Sequence, residues 1–284
     1  MRLLITADLH YNHPRSGPLA EALIEEMNSA GGDVLLVVGD TAIADGDSLE
    51  RCLSLFRFSG PKLFIAGNHE LWTRGPDSHQ LFTEDLPRRV ESLGWQWLES
   101  SPFHAGDVAI VGTIGWYDYS FAQPALEIPR RFYENKVSPG AANHLSEFRA
   151  LLSDDVSPTA RRVTARWNDG KHIKLHRSDE TFLRERLNQL EDNLRLVQSA
   201  DRVIAAVHHL PFHELLPNPR IPQWDFAHAF LGSDRIGQTL ARFSNVRKVI
   251  CGHSHLALEA KVGAIHAINI GSGYRWKTFR QMEI

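Results

Sequence analysis

Met1-Arg2-Leu3-Leu4-Ile5-Thr6-Ala7-Asp8-Leu9-His10 and, further on, Val34-Leu35-Leu36-Val37-Val38-Gly39-Asp40 decide the fold. Each is a short apolar run that stops at a turn carrying an Asp, the pattern of a strand buried on both faces. Between them Leu19 to Met27 repeats its apolar residues at helical spacing, with Pro18 suited to a first helical turn and Gly31 to the C-terminal cap. A strand, a helix and a strand in that order predict a parallel pair joined by a crossover.

The same alternation continues outward. A helix is expected near Ser48 to Phe56, a strand at Lys62 to Ala66, a helix around Ser78 to Leu93, and a strand of a second layer at Val108 to Thr113. Phe182, Leu183, Leu187, Leu190, Leu194 and Val197 mark an amphipathic helix, followed by a strand from Val203 to Val207. A helix from Asp234 to Phe243, a strand from Val246 to Cys251, and hairpin-like strands at 256–262, 264–270 and 274–282 complete the pattern. From Tyr117 to about Arg177 the regularity fails, broken by Pro124, Pro129, Pro139 and Pro158. The expectation is one domain over 1–284 with a cap-like, irregular or helical insertion at about 118–177.

With 284 residues, 43% hydrophobic and 23% charged, the composition is that of an ordinary soluble protein and argues against disorder or membrane burial. The first strand runs straight into polar residues, leaving no room for the apolar core of a secretory signal. Two cysteines, Cys52 and Cys251, fit a reducing cytoplasm better than a disulfide scaffold. A net charge of −3 argues against coating nucleic acid or anionic membrane by bulk electrostatics.

Asp8, His10, Asp40, Asn68, His69, His208, His253 and His255 all lie just after predicted strands. In open α/β sheets ligands gather outside the carboxyl ends of strands, so these residues can converge although they come from distant parts of the chain. Packed together without compensation, two Asp, an Asn and five His would cost several kcal/mol. A pair of divalent cations removes that cost. Imidazole and carboxylate together suit Mn²⁺, Fe²⁺, Ni²⁺ or Zn²⁺, and two such ions can share a hydroxide and clamp a phosphoryl oxygen, the chemistry of phosphoester hydrolysis.

Asp8-Leu9-His10, Gly39-Asp40, Gly67-Asn68-His69-Glu70, His208 and Gly252-His253-Ser254-His255 resemble, in order, the five blocks of the calcineurin-like metallophosphoesterases. The resemblance implies a four-layer α/β/β/α sandwich of two mixed sheets flanked by helices. It also implies roles: Asp8, His10 and His255 on one metal, Asn68, His208 and His253 on the other, Asp40 bridging them, His69 as general acid near the substrate, and Glu70 orienting His69. The neighbouring His209 is expected to be packed instead, since adjacent strand residues face opposite ways. Ile43 stands where iron-binding purple members carry a metal-bound Tyr, which argues against a tyrosinate-iron centre.

Between Arg130 and Arg177 ten Lys or Arg face five Asp or Glu, so Arg130, Arg131, Arg161 and Arg162 are candidate phosphate contacts in a basic cap. Tyr117, with its neighbours Trp116 and Tyr119 and with Trp167, is a candidate aromatic wall. The reading is a cytoplasmic, binuclear phosphomonoesterase or phosphodiesterase acting on a small molecule, for instance a nucleotide. It uses a metal-bridging hydroxide and two divalent ions, manganese first, with iron, nickel or zinc as the others. A nuclease acting on DNA or RNA and a metal-free interaction scaffold are the alternatives.

Overall fold

The apolar runs that open the chain become neighbouring strands, and the computed structural model describes residues 1–218 and 221–284. The strands are β1 (Arg2–Thr6), β2 (Val34–Val38), β3 (Lys62–Ile65), β4 (Gln96–Trp97), β5 (Phe103–Ala105), β6 (Val108–Thr113), β7 (Arg202–Val207), β8 (Val246–Cys251), β9 (Leu258–Val262), β10 (Ile265–Asn269) and β11 (Phe279–Glu283). They form a five-stranded sheet in the order β11-β1-β2-β3-β4 and a six-stranded sheet in the order β5-β6-β7-β8-β10-β9. Both are mixed: β1 to β4 run parallel, as do β6, β7, β8 and β10, and antiparallel strands β11, β5 and β9 close the edges.

Side-chain alternation along each strand explains the layering. Leu3, Ile5, Leu36, Val38 and Ile65 of the first sheet meet Ile110, Ile204, Ala206, Ile250 and Ile268 of the second in one buried cluster. Leu4, Leu35, Val37 and Phe64 turn the other way, onto Leu23, Ile24 and Met27 of helix Gly17–Ala30. On the far side Ala109, Val111 and Ala205 meet Phe182, Leu183, Leu187 and Leu190 of helix Asp179–Leu196. The result is helix, sheet, sheet, helix, the architecture expected.

Two local expectations change. The helix foreseen over 78–93 is divided into Ser78–Gln80, a π-helical turn Leu81–Asp85 and Leu86–Ser92. Pro87, at the start of the last piece, lacks the N–H that an uninterrupted α-helix needs there. The final strand starts at Phe279, not Tyr274, because Gly273 N–H bonds to the Trp276 carbonyl at 2.9 Å and turns the chain. Between β6 and helix Asp179–Leu196 the chain forms short helices at Arg130–Glu134, Pro139–His144, Pro158–Arg161 and Asp169–His172. A separate small core of Phe132, Val137, Ala142, Val156 and Ala160 lies within this segment.

Gly112 on β6 leaves no room for a side chain: a Cβ there would lie 2.5 Å from Ile65 Cγ2 and 2.6 Å from Leu98 Cβ. Gly112→Ala should therefore destabilise the chain by about 1–3 kcal/mol, the usual cost of overpacking. Urea unfolding with an unchanged m-value checks this, and a variant as stable as the parent would show that the two sheets can separate without cost.

Candidate metal centre

Asp8 and His10 follow β1, Asp40 follows β2, Asn68 and His69 follow β3, His208 follows β7, and His253 and His255 follow β8. Within each sheet these strands are parallel, so their carboxyl ends open on one edge. The backbone there is unusual. Asp8 (φ 55°), His10 (43°), Asp40 (53°), His253 (70°) and His255 (57°) all occupy the left-handed region that side chains other than glycine rarely adopt. Gly39, Gly67 and Gly252, each just before a candidate ligand, divide into two kinds. Only Gly39 has a positive φ, 77°. Gly67 and Gly252 are required by proximity, since a Cβ would stand 2.2 Å from Asp40 Oδ1 and 2.6 Å from Asp8 Oδ2 respectively.

Two groups of potential ligands result: Asp8, His10, Asp40 and His255, and Asp40, His208 and His253. Asp40 belongs to both, with Oδ1 3.4 Å from His208 Nε2 and Oδ2 3.8 Å from His10 Nε2. His10 Nε2 and His255 Nε2 face each other at 2.9 Å, close to the roughly 3 Å expected for two nitrogens at right angles on an ion with 2.1 Å bonds. His208 donates through Nδ1–H to the Val38 carbonyl, 2.9 Å away, and His253 through Nε2–H to the Phe230 carbonyl, 3.2 Å away. Those contacts fix the rings by one nitrogen and leave the other for a metal. Asp8 Oδ2, Asn68 Oδ1, His208 Nε2 and His253 Nδ1 are buried without any hydrogen-bond partner, a costly state that a cation relieves. The residues fit two divalent ions.

The electrostatics agree. Burial lowers the pKa of His10 and His253 well below the usual imidazole value and that of His255 to about 4, so these rings are neutral and able to ligate. Burial alone would raise Asp40, but His208, His69 and His10 around it outweigh that effect and hold its carboxyl well below the ordinary range. Burial, with Asp40 nearby, pushes Asp8 up to about 7. His208 goes the other way: burial opposes its charge, yet Asp40 and Asp8 raise it to about 9, so without metal it holds a proton that a cation would displace. His209 is fully buried behind the pair, its Nδ1 on the Ile114 carbonyl at 2.8 Å and its ring centroid 4.4 Å from that of His253.

His69 lies at the mouth of the centre, Nε2 3.9 Å from Asp40 Oδ2, its ring stacked on Trp72 at 3.8 Å. Glu70 does not reach that ring. Its carboxylate accepts from the backbone N–H groups of Gly67 (2.7 Å), Asp40 (2.9 Å), Thr41 (2.6 Å) and Ala42 (3.2 Å). It clamps the loops after β2 and β3 together, because the 3₁₀ turn at His69–Leu71 sends successive side chains in different directions.

A cleft of about 630 Å³ opens above Asp40, Asn68, His69, His253 and His255. Trp72, Trp167, Trp224, Tyr274 and Trp276 line it, with Arg166 and Arg275. The basic residues expected there are elsewhere. Arg130 pairs with Glu134 and Glu180, Arg131 with Asp155, and Arg161 bonds to the Ser153 and Val156 carbonyls, while Arg162 is exposed. Nearby acids and carbonyls already satisfy three of these four, which a charge count along the chain cannot reveal. Tyr117 is not a cleft wall either: it is fully buried, its hydroxyl donating to Asp169 Oδ2 at 3.0 Å. Trp167 does face the cleft. Arg275, Tyr274 and Asp169 were not legible as site residues; Tyr274, stacked on His10 at 4.4 Å, gave only the weak signal of lying beyond a strand end.

Known proteins share this fold. A stretch of 125 residues is 34% identical to the [acyl-carrier-protein] phosphodiesterase PptH of Mycobacterium tuberculosis, spanning 40% of this chain and 37% of that protein. The crystal structure of phosphopantetheinyl hydrolase PptH from the same organism superposes over 96% of this chain and 89% of its own, with a TM-score of 0.69 and 21% identity. A dimetal phosphatase from Danio rerio superposes over 99% of this chain and 91% of its own, with a TM-score of 0.52 and 15% identity. The family model for calcineurin-like phosphoesterases matches residues 1–257, which carry every residue of both ligand groups, and the chain belongs to that family of metal-dependent phosphoester hydrolases.

Proposed function

We propose that this chain hydrolyses a phosphodiester with one bulky organic substituent, and that the substrate is presented on a carrier protein. The observation that carries the reading is the cleft, whose floor is the ligand cluster and whose walls are four tryptophans and two arginines. A small monoester would leave such a space largely empty, whereas a flat or extended apolar group would displace water from the aromatic walls. Trp224 and Trp276 at the rim are each 52% exposed, next to Leu256 at 41%, a partly apolar lip suited to a protein surface. The mycobacterial relative is named for action on acyl-carrier protein, which makes that class of substrate the first to test.

Asp8, His10 and His255 would hold one divalent ion, Asn68, His208 and His253 the other, and Asp40 both. When bound, the ions polarise the phosphoryl oxygen and make water a stronger nucleophile at neutral pH. Manganese is the ion we assign first, among the manganese, iron, nickel and zinc that a donor set of imidazole, carboxylate and amide without thiolate accepts. Arg166 and Arg275 receive the phosphate's remaining charge. Burial lowers the pKa of His69, with Asp40 and Asp169 opposing, and an arriving phosphate anion favours its protonated form. As the phosphorus–oxygen bond to the alcohol breaks, the leaving oxygen takes its proton from His69. Among the described residues no helix is long and apolar enough to cross a membrane, and the free, buried Cys52 and Cys251 suit the cytoplasm, the compartment we assign.

Asp40→Asn and His255→Ala should each lower turnover at least about 1,000-fold and reduce bound manganese below two ions per chain by mass spectrometry; metal-dependent activity kept in both variants would remove the assigned centre. His69→Gln should keep both ions but lose about 100- to 10,000-fold in kcat, so a variant at parental rate would show that another group protonates the leaving oxygen. Trp224→Ala with Trp276→Ala should raise KM for a carrier-protein phosphodiester at least fivefold more than it raises KM for bis-p-nitrophenyl phosphate. Equal effects on both substrates would favour a small-molecule substrate instead.

A further inference from the structure

Asp169 lies outside every sequence block of the metal centre, in the segment between β6 and helix Asp179–Leu196, yet it is fully buried beside it. Its carboxylate accepts four hydrogen bonds. Oδ1 takes Asn68 Nδ2 at 2.8 Å and Trp72 Nε1 at 2.7 Å, while Oδ2 takes Tyr117 Oη at 3.0 Å and Trp167 Nε1 at 2.8 Å. Burial, with Asp169 beside it, raises Tyr117 well above the ordinary phenol range, so its hydroxyl stays a donor. Every partner is a donor and the carboxylate only accepts, so the site is fully matched and can be built one way only.

That one-way matching has a consequence for Asn68. An amide side chain can be turned over with little change in shape, exchanging its oxygen and nitrogen. Against an acceptor-only carboxylate it must present its NH₂, which leaves Oδ1 as the free atom, and Asn68 Oδ1 is indeed buried without a partner. The same carboxylate oxygen holds Trp72, whose ring is stacked between His69 at 3.8 Å and His172 at 4.6 Å. The other oxygen holds Trp167, a wall of the cleft that stacks on Phe230 at 5.3 Å.

We infer that Asp169 is a positioning residue: it fixes the amide of Asn68 with its oxygen toward the metal centre, and couples that centre to the aromatic walls supplied by the inserted segment. This deepens the proposed function and rests on its assignment of Asn68 as a ligand. Asp169→Asn replaces one of two acceptor oxygens by a donor, so Asn68 is no longer held to a single orientation.

Manganese titration of the full-length protein by calorimetry separates the possibilities. The parent should bind two ions. Asp169→Asn should bind one as before and the second about 10- to 100-fold more weakly, the usual effect of removing an outer partner of a ligand. Asn68→Asp sets two carboxylates against each other and should weaken the second ion comparably, whereas the double variant Asn68→Asp with Asp169→Asn restores a donor opposite an acceptor and should recover at least fivefold over Asn68→Asp alone. That recovery is readable even where Asp169→Asn by itself fails to fold. A parent that binds no manganese would sink the metal assignment itself. A parent that binds two ions, with Asp169→Asn binding both at parental affinity or with no recovery in the double variant, would sink the positioning role alone.

Discussion

Asp40 is the constraint on which the rest of the molecule turns. Its two oxygens serve both ligand groups, with His208 against Oδ1 and His10 against Oδ2, and Oδ1 also accepts the His69 backbone N–H at 2.9 Å. A carboxylate that faces both ways cannot be moved to suit either side, so the loops after β1, β3, β7 and β8 must be brought to it. Backbone bonds do this directly: Asp8 N–H to the Gly39 carbonyl at 3.0 Å and His10 N–H to the Asp40 carbonyl at 2.8 Å tie the first loop to the second. Glu70 ties the third, and Gly252 N–H to the His208 carbonyl at 3.2 Å joins the two loops of the other sheet.

Much of this was legible because each strand ends where its chemistry begins. Apolar runs such as Val34–Val38 state their burial on both faces, and an Asp or His immediately after them leaves few places for the side chain except the sheet's carboxyl edge. Strand alternation lets only one of His208 and His209 face the centre, and it is the family resemblance that favours His208, although both rings end up buried. The need for Gly67 and Gly252 was not legible, since it rests on carboxylates that come from other loops. A turn can be read from a sequence; how near a distant carboxylate comes to a backbone cannot.

The segment between β6 and the long helix resisted reading because its residues act through contacts that periodicity does not encode. Its charge count drew attention to Arg130, Arg131 and Arg161, whose partners lie within or beside the segment itself, and to Arg162, which is exposed. Asp169, by contrast, gave no charge signal, being one acid in a basic stretch, and its importance rests on donors drawn from residues 68, 72, 117 and 167. Three of these are aromatic, and from sequence alone an isolated Trp or Tyr is better explained by packing than by its one polar atom.

The backbone of the centre bears on why the cluster holds together at all. Five of the candidate ligands in the left-handed region, at about 1–2 kcal/mol each, sum to roughly 5–10 kcal/mol, comparable with the net stability of a whole domain. Compensation therefore has to be local and specific. It is visible in His253 N–H bonding to Asp8 Oδ1 at 2.9 Å, in Lys277 Nζ donating to the Asp8 carbonyl at 2.6 Å, and in the four N–H groups gathered by Glu70. The same turns aim side chains that, without a cation, leave buried nitrogens and oxygens unpartnered. Strain and unsatisfied polarity coincide at Asp8 and His253, so a cation that bonds their free atoms offsets both there, and the centre bears on the fold's stability as well as on its chemistry.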